Sequence, residues 1–174
     1  GELLSSEALS EQLTSQILTL ADGNPFFIEE ILSSLIERGV LEKRNGGWTA
    51  TGLIDQIEMP NTIQGVLLSR IDSLPVDVRQ TLQLAAVIGR SFSYRLLKAV
   101  SQDGQGLDWQ LVQLQRSDLI HELSPLPELE YIFKHSLTQE AAYASILLEQ
   151  RREYHRRVAQ ALEELYAERG TNYS

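Results

Sequence analysis

Two short segments carry the residues best suited to chemistry: DGNPFFIEEI at 22–31 and YIFKHSLTQEAAY at 131–143. In the first, Asn24 is a natural N-cap, Pro25 falls at the first helical position where its missing N–H costs nothing, and Glu29 and Glu30 follow near the positive helix end. Gly23 has no Cβ, so another group could approach the backbone where unpaired helix N–H groups point outward. Such a helix start suits a nucleotide, and it equally suits plain helix capping, because Gly, Asn and Pro are common punctuation. In the second segment the alternation of Leu129, Tyr131 and Phe133 predicts a strand. Ser136 with Gln139 predicts a capping box that opens another helix. His135 stands at that junction, where an imidazole beside a helix N-terminus can receive a phosphate oxygen. The alternative is a His half-packed against its own helix.

Other chemistries find little support. No GxxxxGK[ST] loop occurs, so there is no glycine-rich phosphate cradle, no P-loop Lys and no magnesium-binding hydroxyl. With no Cys and three scattered His, a disulfide framework, thiolate ligands and a zinc site are not expected. The carboxylates sit singly on predicted polar helix faces and form no acid–base pair, so the chain is not expected to be an enzyme. No apolar run approaches the roughly 20 residues of a membrane helix, and the reading expects a cytoplasmic location.

The elements that must position these segments fall into three blocks: 1–58, 59–148 and 149–174. In the first, Leu9, Leu13, Ile17 and Leu20 recur at helical spacing, as do Phe27, Ile31 and Leu35 after Pro25. Val40, Leu41 and Trp48 flank a KRNGG turn and predict a short hairpin, with a structural role for Trp48. The second block opens at Met59 and Pro60 with Asn61 as the expected cap of a helix carrying Ile63, Val66, Leu67 and Ile71. Helices near 77–88, 93–100 and 107–117 follow, with strands near 118–123 and 129–134 joined by SPLPE; this is a winged-helix order. The fold class expected is therefore mainly α with a small β wing. The third block is a helix over 150–168 with an apolar stripe of Tyr154, Val158, Ala161, Leu162 and Leu165, expected to pack on a following helix.

Charge is uneven: residues 1–60 hold 3 basic and 10 acidic side chains, and the whole chain carries −9. Such a surface repels phosphate backbones and argues against nucleic acid as a partner. The Arg151, Arg152, Arg156 and Arg157 cluster reads as a solvated face offset by Glu149 and Glu153.

From about Ser10 to Leu165 the chain resembles the control region of the STAND class of P-loop ATPases, modules attached to bacterial adenylate and guanylate cyclases, sensor kinases and large transcriptional regulators. The matching stretches are GNPFFIEEI, MPNTIQGVLLSRIDSLP at 59–75, LQLAAVIGRSF at 82–92, IFKHSLTQEAAY at 132–143 and RREYHRRVAQALE at 151–163, in the family's order. The resemblance implies a helical lid over the adenine, assigned here to Gly23, Asn24 and Pro25. It also implies a winged-helix His reaching the phosphates, assigned to His135, although Lys134 and Ser136 replace the flanking Met and Asp of the usual motif. The partners it implies are an upstream P-loop domain binding ATP or ADP with magnesium, and downstream helical repeats of the same protein. The isolated chain would then be a non-catalytic piece of a larger signalling protein, holding no cofactor of its own. A winged-helix DNA reader and a nucleotide-independent protein scaffold remain as alternatives.

Overall fold

The computed structural model describes residues 2–44, 47–51, 60–102 and 104–172, without the side chains of residues 2–10, 43, 44, 48 and 170–172. It is mainly helical, with small antiparallel sheets. Contacts divide the chain into two compact units, Gly1–Asp72 and Ser73–Ser174. The division therefore falls after the helix that the sequence blocks had assigned to the second domain, and the C-terminal helix belongs to the second unit.

The first unit contains α1 (Glu2–Ala21), α2 (Pro25–Glu37), the hairpin of β1 (Leu41–Arg44) and β2 (Gly47–Ala50), and α3 (Ile63–Asp72). Its core joins Ile17 and Ala21 of α1, Ile31 and Leu35 of α2, and Val66 of α3, with Val40 and Leu41 at the hairpin base. Ile17, Ile31, Leu35 and Val66 are among the positions picked out by helical spacing, whereas Ala21 is not. Gly39 closes α2 at φ 74°, a left-handed conformation that favours glycine, and the Val40 N–H donates to the Leu35 carbonyl at 2.9 Å. The hairpin pairs Leu41 with Ala50 and Arg44 with Gly47. Its turn residues and Met59 lie outside the described residues, as do the side chains of Leu9 and Trp48. Ahead of α3 the side chain that accepts a helix N–H is Thr62, whose Oγ1 receives Gly65 N–H at 3.1 Å; the capping expected of Asn61 thus falls one residue later. Gly65 is required by space: a Cβ there would stand 2.9 Å from Pro60 Cβ.

The second unit runs α4 (Val76–Ile88), β3 (Ser91–Ser93), α5 (Tyr94–Val100), α6 (Leu107–Arg116), β4 (Ile120–Ser124), β5 (Glu130–Phe133), α7 (Ser136–Ala144) and α8 (Leu148–Asn172). The sheet order is β3-β5-β4, all antiparallel, so the two strands expected near 118–123 and 129–134 pair with each other as a small β wing and β3 adds to the other edge of β5. Helix α4 is buried on several faces, through Val78, Leu82, Leu84, Ala85 and Ala86, because α5, α6, α7 and α8 all pack against it. Small side chains at 85 and 86 make that close packing possible. Leu107, Leu111 and Leu114 anchor α6, and Phe92 packs on Tyr131 and Phe133 with ring centroids 5.8 Å apart in both pairs. The stripe of α8 finds its partners inside this unit: Tyr154, Val158 and Ala161 are buried where the helix meets α4 and α5. The expectation that the stripe awaits a following helix is corrected accordingly, with Leu162 left half-exposed.

Candidate functional site

The Gly23–Pro25 turn is built by two consecutive left-handed residues, Asp22 at φ 49° and Gly23 at φ 76°. Asn24 then returns to extended backbone, and its Oδ1 accepts the Phe26 N–H at 3.0 Å as the N-cap of α2. Pro25 occupies the first turn and is exposed. A Cβ at Gly23 would meet nothing within 4 Å. Within the chain, then, the glycine answers the positive φ rather than a close approach to the backbone. Neither Glu29 nor Glu30 lies in the first turn of α2. Glu29 is exposed, while Glu30 is 1% exposed and faces α3.

There Glu30 meets the residue that sequence reasoning missed. Arg70 of α3 is 2% exposed; its Nη1 donates to Glu30 Oε2, while Nε and Nη2 donate to the two carboxylate oxygens of Glu37 at 3.3 and 2.9 Å. Glu30 and Glu37 are seven residues apart on α2 and so share one face, matching the fork of the guanidinium. Burial pulls the Arg70 pKa down, but the hydrogen bonds and charges of Glu37 and Glu30 outweigh it and hold the group above its usual value. The arrangement couples the helix that begins at the Gly23–Pro25 turn to α3. A signal was present in the sequence: Arg70 interrupts the apolar face of Val66, Leu67 and Ile71.

His135 belongs to the second unit. It is the N-cap of α7, in extended conformation at φ −144° and ψ 152°, directly after β5. Its Nδ1 accepts the Leu137 N–H at 3.1 Å, which assigns the ring proton of a neutral imidazole to Nε2 and makes that nitrogen a donor. The capping box expected of Ser136 and Gln139 does not form, because Ser136 is already the first helical residue. The Gln139 amide instead donates to the Ala86 carbonyl of α4 at 2.8 Å. Thr138, in the same first turn, is fully buried, and its Oγ1 has no hydrogen-bond partner among the described residues.

The face that would read DNA in a winged helix is poor in cations. On α6 the exposed side chains are Asp108, Trp109, Val112 and Arg116, and Asp108 is held by the Tyr94 hydroxyl at 2.6 Å. Exposed on β4 are His121, Glu122 and Leu123. In the Arg151, Arg152, Arg156 and Arg157 cluster of α8, Arg156 alone pairs with a carboxylate among the described residues, Glu153 at 2.6 Å. Arg151 donates to the Tyr143 and Ile146 carbonyls, and Arg157 lies over the Tyr154 ring. The expected salt-bridged face is thus limited to one pair.

Among the described residues no group of three His, Asp or Glu could hold a metal, and no helix is long and apolar enough to cross a membrane. No curated protein and no solved structure matches the chain. A family model described as a domain of unknown function (DUF8739) matches residues 1–47, the stretch of α1, α2 and the first strand of the hairpin.

Proposed function

We propose that the chain is a non-catalytic regulatory region of a STAND-type signalling ATPase, which responds to ATP or ADP held by a P-loop core elsewhere in the same protein and relays nucleotide state to an output domain. In this reading the Gly23–Asn24–Pro25 turn of the first unit serves the adenine, and His135 of the second serves a phosphate. The observation that carries it is the cap of α7. Using Nδ1 as the helix cap fixes the imidazole at a helix N-terminus and makes Nε2 a donor, the arrangement an anionic oxygen favours. The left-handed Asp22–Gly23 pair and the exposed Pro25 agree with a turn available to a flat ligand.

Titration of the chain with ATP and ADP tests the reading. With no phosphate cradle and no P-loop Lys in the sequence, calorimetry is expected to find no binding tighter than about millimolar and no hydrolysis. Micromolar affinity would move the nucleotide site into this chain and overturn the division of labour proposed here.

The winged-helix DNA reader makes the opposite prediction about duplex. An α6 face with one exposed cation, in a chain of net charge −9, gives little phosphate neutralisation. Gel-shift assays at physiological salt are expected to show no complex. Submillimolar binding that weakens steeply as salt rises would favour the DNA reader instead.

A further inference from the structure

A cleft of about 530 Å³ opens in the second unit between α4, α6 and α8, within the range of small-molecule sites. Its polarity is built in. Thr81 and Gln110, 4% and 1% exposed, face it from the wall, and the Thr81 hydroxyl bonds to the Gln110 side-chain carbonyl. Tyr154 is 4% exposed and accepts the Gln150 amide at 2.7 Å, so its own proton remains to be donated. Burial pushes the Tyr154 pKa up, which keeps the phenol protonated.

Arg157 supplies the charge. Its guanidinium carbon lies 5.0 Å from the centroid of the Tyr154 ring, and its charge acts on the Glu153 carboxylate through space, without a salt bridge among the described residues. Glu153, one helical turn earlier, has both oxygens taken by Arg156, at 2.6 and 2.9 Å. A ring-stacked guanidinium in a cleft lined by amides is a receptor for a carboxylate, which it can bind through a two-pronged fork. Gln80, Gln102 and Gln150 also line the cleft and offer paired donors and acceptors suited to neighbouring hydroxyl groups. Asp77 and Glu153 at the same site repel a doubly charged phosphate more strongly than a singly charged carboxylate.

We propose that this cleft binds a small polyhydroxylated monocarboxylate, a sugar acid in chemistry, with Arg157 taking the carboxylate and the glutamine amides the hydroxyl groups. The site lies wholly within the second unit and does not depend on the nucleotide reading.

The test is an NMR titration of the 174-residue chain with D-gluconate, D-glucose and glucose phosphate as probes. Gluconate is expected to shift the side-chain amide signals of Gln80, Gln102 and Gln150 saturably, with glucose and glucose phosphate each at least about tenfold weaker. Arg157→Gln is expected to weaken gluconate by about tenfold or more, and Arg157→Lys to recover part of the loss because it keeps the charge. The assignment is overturned if gluconate shifts none of these signals at tens of millimolar, if either other probe binds as tightly, or if Arg157→Gln binds gluconate like the parent chain. Should Arg157→Gln fail to fold, the Arg157→Lys variant and the comparison among probes decide.

Discussion

Arg70→Ala is expected to destabilise the first unit by about 3–5 kcal/mol, the cost of leaving a buried charge without its partner. The charge left behind is Glu30, which is 1% exposed and loses its bond to Nη1. Glu37 weighs less, because it is 36% exposed and water can replace the guanidinium. Hydrogen exchange of the chain reads the effect region by region. Protection of α2 and α3 amides is expected to fall by about a hundredfold or more, while amides of α4 and α6 in the second unit keep theirs. The double replacement Glu30→Met with Arg70→Met should recover most of the loss, since apolar pairs of similar volume can substitute for buried ion pairs. Unchanged protection of α2 and α3 in Arg70→Ala would mean that the triad is an ornament of apolar packing by Val66, Ile31 and Leu35.

The contrast between that triad and the second unit explains what could be read in advance. Leu107, Leu111 and Leu114 lie on the core side of α6 because apolar spacing states which face is buried, and the partner face only has to be apolar too. The strand ending in Phe133 is legible for the same reason: it is a local pattern with a local cause. Glu30 is different. One residue from Ile31 on α2, it resembles any carboxylate near a helix start, and its burial depends on Arg70, which is forty residues away in sequence. The cap of α7 was displaced for a related reason. Ser136 is the residue type that capping preferences select, yet Gln139 has a better use against Ala86 of α4, and the cap passes to His135. The apolar stripe of α8 was legible as a stripe, but nothing in its spacing says whether the surface that covers it lies inside the chain or beyond it.

His135→Asn separates the two roles of this side chain. As the N-cap of α7 its Nδ1 accepts the Leu137 N–H, and an Asn Oδ1 can do the same. What Asn does not reproduce is the imidazole donor at Nε2. If that nitrogen serves a phosphate in the larger signalling protein, His135→Asn there is expected to weaken ADP by about ten- to 150-fold, the worth of a hydrogen bond to a charged group. Basal output should rise with it, since ADP would hold the resting state less firmly. In the isolated chain the same variant should melt nearly like the parent, whereas His135→Ala loses the cap and is expected to cost about 0.5–2 kcal/mol. Calorimetry on the larger protein and thermal melts of the chain therefore read different functions of one ring. ADP binding unaltered by His135→Asn, alongside a chain destabilised only by His135→Ala, would leave His135 as a helix cap and remove it from the nucleotide site.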